Sequence, residues 1–263
     1  MLNALSATAA PSLSHHAVAL SHRTPVAPRK SRASTRISPI SSNLRALSRP
    51  SRSILLLFVF FVVPSLRAAN TNPPAPTTKT IVFFGDSLTA GYGLDDPLSE
   101  AYPARIQEKL TDAKLPYRVV NAGLSGETSA GGARRIDWIL RQPIDIFVLA
   151  LGANDGLRGI EPAVTQENLQ NILNRVRAKN PDAQLIVAGM QMPRSMGDAY
   201  ARDYAAVFPE IAKANGAAFI PFLLEGVGGI DRLNQPDRIH PTAEGHAILA
   251  ETVWKTLRPL LTQ

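Results

Sequence analysis

The chain has 263 residues, of which 45% are hydrophobic, and it contains no cysteine, so neither a disulfide nor lipid attachment at a thiol is available to it. Its formal charge of +7 is concentrated at one end: residues 1–53 hold eight Lys/Arg and no Asp or Glu, whereas 19 Lys/Arg face 21 Asp/Glu from Asn70 onward. The basic balance therefore belongs to the front segment, and nothing in the later part forms the cationic stripe that a nucleic-acid partner requires.

Residues 1–53 are rich in Ser, Ala, Pro and Arg without hydrophobic periodicity, and are expected to be a disordered extension. Ten apolar residues follow, "ILLLFVFFVV" from Ile54 to Val63. A helix needs roughly 20 to span a bilayer, so residues 54–69 read as a signal-peptide hydrophobic region and its cleavage zone. Ser65, Ala68 and Ala69 supply the small residues, although Arg67 interrupts a clean small-x-small site. The prediction is export to the periplasm or medium, with no stable membrane span after processing. An organellar transit peptide and an uncleaved anchor are the alternatives. Residues 70–78 form a linker, and residues 79–263 suffice for one hydrophobic core.

From Lys79 onward, short apolar runs alternate with amphipathic stretches. Strands are predicted at 80–85, 117–123, 145–152, 183–190 and 217–224, and helices at about 101–113, 131–142, 165–179, 198–215 and 242–258. Runs apolar on both faces, alternating with helices, imply a parallel sheet covered on both sides. The predicted fold is a three-layer α/β/α sandwich around a five-stranded, mainly parallel, flavodoxin-like sheet.

Ligands of such sheets bind beyond the carboxyl ends of the strands. Those ends carry Gly85-Asp86-Ser87, Asn121-Ala122-Gly123, Gly152-Ala153-Asn154-Asp155 and Met190-Gln191-Met192. Each also has an ordinary explanation, since Gly, Ser, Asn and Asp punctuate strands everywhere. Two histidines, His240 and His246, follow the front segment. His246 falls within the last helix and reads as a packed or surface residue. Asp237 precedes His240 by three residues in a turn bounded by Pro236 and Pro241. The Asp237 carboxylate can reach back to Nδ1 of His240, leaving Nε2 to take a serine proton. Asn154 can donate to a developing oxyanion, and Gly123, lacking a side chain, allows close approach of its backbone N–H.

Gly85-Asp86-Ser87-Leu88, Gly123, Gly152-x-Asn154-Asp155 and Asp237-x-x-His240 resemble, in order, the four blocks of the SGNH, or GDSL, hydrolases. The similarity extends from about Thr80 to Leu261, and "GDSLTAGYG", "LGANDGLRG" and "RIHPTAEGH" resemble the thioesterase I and arylesterase branch. The resemblance implies Ser87 as nucleophile, His240 as base, Asp237 as its orienting acid, and an oxyanion hole of Ser87, Gly123 and Asn154. It also implies an acyl-enzyme route acting on carboxylic esters, acyl thioesters or lysophospholipids, with no metal or cofactor, by a monomer. "GLRGIEP" follows Asn154 directly, so Gly156, Leu157 and Ile160 are candidates for the substrate side.

Other classes stay open at this point. One is a carbohydrate acetylesterase or acyltransferase of the same fold. A second is a metal-dependent phosphohydrolase using Asp86, Asp155, Asp237 and His240. A third is a non-enzymatic flavodoxin-like binding module. Gly-x-Gly-x-x-Gly, Walker A and Gly-x-Ser-x-Gly patterns are all absent around these residues.

Overall fold

Residues 77–261 are described by the computed structural model. The basic extension, the signal-like segment and all but the end of the linker lie outside the described residues. The strands are β1 (Lys79–Gly85), β2 (Tyr117–Gly123), β3 (Ile146–Ala150), β4 (Gln184–Ala188) and β5 (Ala218–Ile220). They form one sheet in the order β2-β1-β3-β4-β5, and every pairing is parallel. The chain runs outward from β1 to β2 and then crosses back to β3, so the order reverses between β1 and β3. Their carboxyl ends flank the crevice where open α/β sheets place ligands.

The central strands are buried on both faces, as the continuous apolar runs predict. β2 departs from that expectation. It is an edge strand, with Arg118 and Asn121 exposed. β5 departs in length, because Pro221 follows Ile220 directly and has no N–H to continue a ladder.

Five longer helices, numbered in chain order with three short ones, cover the sheet: α3 (Tyr102–Asp112), α4 (Ser129–Ile139), α6 (Pro162–Lys179), α7 (Asp198–Ala214) and α8 (Ala243–Leu257). They divide into two packed groups, α3 with α8 and α4 with α6 and α7. Two starts differ from expectation for local reasons. α4 begins earlier because the Thr128 side chain caps it by accepting from Gly131 N–H. α6 begins at Pro162, whose missing N–H is harmless in a first turn. The short helices α1 (Ser87–Ala90), α2 (Pro97–Glu100) and α5 (Ala153–Leu157) carry too few residues to show a helical period.

Candidate active site

Ser87 is the first residue of α1, immediately beyond the end of β1. Asp86 caps that turn, its Oδ1 accepting from Leu88 N–H at 3.0 Å. The Ser87 N–H has no partner among the described residues, as the first amide of a helix usually lacks one. Asp86 itself is buried, and its Oδ2 has no hydrogen-bond partner. Burial pushes its carboxyl up to about 7; the Leu88 N–H opposes this, and the charges of Glu127 and Asp155 reinforce it.

Asp237 and His240 lie on the loop between β5 and α8. The Ile239 and His240 amides both donate to Asp237 Oδ1, at 2.9 and 3.0 Å. Asp237 Oδ2 is 2.6 Å from His240 Nδ1, and His240 Nε2 is 2.9 Å from Ser87 Oγ. Burial works against ionisation of Asp237, yet the His240 ring and the two amides outweigh it and lower the carboxyl to about 2. An ionised carboxylate only accepts hydrogen bonds. Nδ1 therefore carries the imidazole proton, and Nε2 is the acceptor facing the Ser87 hydroxyl.

Gln235 ties this loop to the rest of the site. Its backbone N–H donates to His240 O at 2.7 Å, and its side-chain amide donates to Tyr92 O at 2.7 Å and to Pro241 O at 3.1 Å. His246 is placed elsewhere. It is buried, and its Nδ1 accepts from Tyr102 N–H at 3.2 Å. Burial, followed by the charges of Arg105 and His240, lowers its imidazole to about 4, so it is a packed, neutral histidine.

The predicted oxyanion donors separate into two kinds. Asn154, on α5, shares a cavity lining with Ser87 and His240. Its amide donates one hydrogen to Glu127 O at 3.0 Å, which fixes its orientation and leaves the second. Gly123 is a correction. Its N–H donates to Asn121 Oδ1 at 3.0 Å and is already engaged. The need for glycine there is steric, because a Cβ would fall 2.3 Å from Ala90 N, where β2 meets α1. Gly126, three residues on, has a left-handed φ of 77° and an N–H with no partner among the described residues. Its carbonyl accepts from Arg158, and its neighbour Glu127 holds Asn154.

The turn bearing Gly126 is braced by a pair that the sequence did not reveal. Glu127 is buried and receives two bonds from Arg135 Nε, at 2.7 and 2.8 Å. Arg135 also donates to Ala122 O at 2.8 Å and lies 4.1 Å over the Phe84 ring. The visible signal was only the Arg134-Arg135 pair, whose eight-residue separation from Glu127 matches no local motif.

A cavity of about 240 Å³ opens at Ser87, Asn154 and His240, with apolar walls that include Leu88, Leu157, Met192 and Leu224. Leu157 is where the sequence placed it. Gly156 and Ile160 are not in the lining: Gly156 is buried against Met192, and the Ile160 carbonyl accepts from Tyr200 at 2.8 Å. Asp155 is likewise turned away, bonded to the Ser129 N–H and hydroxyl at 2.8 and 2.5 Å. The four residues of the phosphohydrolase alternative thus do not converge. Among the described residues no group of three His, Cys, Asp or Glu is arranged to hold a metal ion.

Residues 83–248 match the model of the GDSL-like lipase/acylhydrolase family. Esterase TesA of Pseudomonas aeruginosa is 41% identical over 184 residues, covering 70% of this chain and 90% of that protein. Thioesterase 1/protease 1/lysophospholipase L1 of Escherichia coli K12 is 35% identical over 207 residues, covering 78% and 93%. The crystal structure of TesA superposes with a TM-score of 0.66, at 41% identity, and covers 70% of this chain and all of that one.

Proposed function

The chain belongs to the GDSL-like lipase/acylhydrolase family, and we propose that it is a carboxylic ester hydrolase of the esterase/thioesterase type that works through an acyl-enzyme on Ser87. The observation that carries this mechanism is the chain of two short hydrogen bonds from Asp237 through His240 to Ser87 Oγ. Ser87 Oγ attacks the acyl carbon while His240 Nε2 takes its proton. Asp237 keeps the imidazole in the right tautomer and stabilises the imidazolium that forms.

Negative charge then develops on the former carbonyl oxygen. The Ser87 N–H and the second hydrogen of the Asn154 amide are free to meet it, and Gly126 N–H is a better-suited third donor than the engaged Gly123. On collapse, His240 returns the proton to the departing alcohol or thiol, and water repeats the sequence on the acyl-enzyme. The apolar walls fit an acyl chain. That wall chemistry and the names of the relatives support a hydrophobic acyl or aryl ester, an acyl thioester or a lysophospholipid as substrate.

A chain-length series of p-nitrophenyl esters, run beside acyl-CoA and lysophospholipid with Ser87→Ala as control, tests this reading. Hydrolysis abolished by Ser87→Ala supports it, and hydrolysis surviving that change refutes it. The segment Ile54–Ala69 further supports export of the chain. N-terminal sequencing of the mature protein is expected to begin between about Leu66 and Thr71.

A further inference from the structure

We infer that Arg238 is a specificity-determining residue that reads a phosphate group on the leaving-group side of the substrate. The inference rests on the ester-hydrolase reading and adds to it. Arg238 sits between Asp237 and His240 with a left-handed φ of 60°, one of two residues other than glycine with positive φ among those described. A Cβ makes that conformation costly, which is why glycine usually takes such positions. A long cationic side chain held there, on the loop that carries the base, calls for a function at the site.

The surroundings indicate which function. Arg238 belongs to the same cavity lining as Ser87 and His240, and no carboxylate is in that lining. Among the described residues its guanidinium pairs only with Asp231, at 3.4 Å, and the two side chains are 77% and 79% exposed. So exposed a pair contributes little and exchanges readily for a better anion. Phosphate is such an anion, because a guanidinium binds it through two parallel N–H bonds.

The side of the substrate follows from the walls. Leu88, Leu157, Met192 and Leu224 suit the uncharged acyl chain, so a cation at the mouth faces the alcohol or thiol portion. An adjoining cleft shares Gln191 and Met192 with the cavity and carries Arg194 and Arg202 against the single carboxylate Asp198. Arg202 is engaged by Asp203 at 3.2 Å, which leaves Arg194 as the further cation on that side.

The test compares kcat/KM for acyl-CoA and for 1-acyl-glycerol 3-phosphate with that for a neutral p-nitrophenyl ester of the same acyl chain. In Arg238→Gln and Arg238→Gly the ratio of phosphate-bearing to neutral substrate should fall about three- to tenfold. Arg238→Lys, which keeps the charge but not the fork, should fall between these and wild type. Added salt should lower the wild-type ratio and leave that of Arg238→Gln nearly flat. Arg238→Gly should melt no lower than wild type, since glycine accepts the left-handed backbone without strain. A fall confined to one phosphate substrate supports the inference and identifies the source of the phosphate. An unchanged ratio in both variants, or parallel loss on charged and neutral substrates, overturns it while leaving the esterase reading intact. A wild type that cleaves none of the three overturns the esterase reading, and this inference with it.

Discussion

The ring of Tyr92 lies over the imidazole of His240, with centroids 4.7 Å apart and planes inclined at 48°. Tyr92 is more than half exposed, so burial alone does not hold it there. The Gln235 side chain holds the Tyr92 carbonyl, while the Gln235 backbone holds that of His240. One residue therefore spaces the His240 imidazole and the ring that covers it.

Removing that cover should disturb the chemical step more than binding. Tyr92→Ala is expected to lower kcat about two- to tenfold, the range that aromatic contacts of ~0.5–1.5 kcal/mol convert to. Tyr92→Phe should stay near wild type, because the ring and not the hydroxyl makes the contact. Steady-state kinetics decide the matter, and a Phe variant as slow as Ala would mean that the hydroxyl acts.

Ser87→Ala should reduce turnover by about 10⁴-fold or more without unfolding the domain, as loss of a triad nucleophile does. A serine-directed phosphonate should add its mass to the peptide containing Ser87. Substantial residual turnover in the variant would assign the nucleophile elsewhere.

Asn154→Ala should lower kcat by about 10²–10³ with little change in KM, because its donor acts on charge that develops only in the transition state. Gly126 and Gly123 give a contrast at the same site. Glycolate at 126, which turns that amide into an ester, removes the N–H and keeps the left-handed φ, whereas any side chain at 123 strikes Ala90. Loss of stability is therefore expected at 123 and loss of turnover at 126, by calorimetry and kinetics in parallel. A loss that falls wholly on KM in Asn154→Ala would make Asn154 a substrate-binding group.

Activity should be lost in acid, because an imidazolium has no lone pair to accept from Ser87. With Asp237 lowered to about 2, its carboxylate stays ionised down to strongly acidic pH, so a loss that begins in mild acid does not come from its protonation. Asp237→Asn should remain strongly impaired even at high pH, because the tautomer and orientation are wrong after the ring is neutral. A pH–rate profile that recovers fully on the alkaline side would reduce Asp237 to a modulator of charge.

Stability should respond to two buried groups of opposite sign. His246 is lowered from 6.5 to about 4, so between those values the unfolded chain binds the extra proton and stability falls as pH falls. Asp86 is raised from 3.8 to about 7, so across that window the folded chain binds the extra proton and stability falls as pH rises. The two slopes oppose each other from about pH 4 to 6.5. Denaturant melts of His246→Gln should lose stability with rising pH more steeply than wild type, and Asp86→Asn should gain it. Parallel profiles for all three proteins would show that neither group is shifted.

The apolar runs made β1, β3 and β4 legible, because strands buried on both faces need no alternation to be recognised. β5 was overextended, since the run through Leu224 stays apolar after Pro221 has ended the pairing. The convergence of Ser87, His240 and Asp237 was legible because Asp237 and His240 are local to one turn and Ser87 sits at an abrupt strand end. Gly123 could not be read correctly. Sequence shows that a glycine is needed but not whether its N–H is free, and here Asn121 consumes it while Ala90 forbids a side chain. Gly156 and Ile160 failed similarly, because adjacency to Asn154 does not say which way the short helix α5 turns its residues.

The bond between Ser87 and His240 joins positions 153 residues apart, from the first strand to the turn before the last long helix. The active site thus closes only when the two ends of the domain meet. A chain still emerging from the ribosome has made Ser87 long before His240. Until residue 240 is made and folded back, Ser87 has no imidazole beside it. A C-terminal truncation that removes His240 should therefore be inactive, however well the sheet forms.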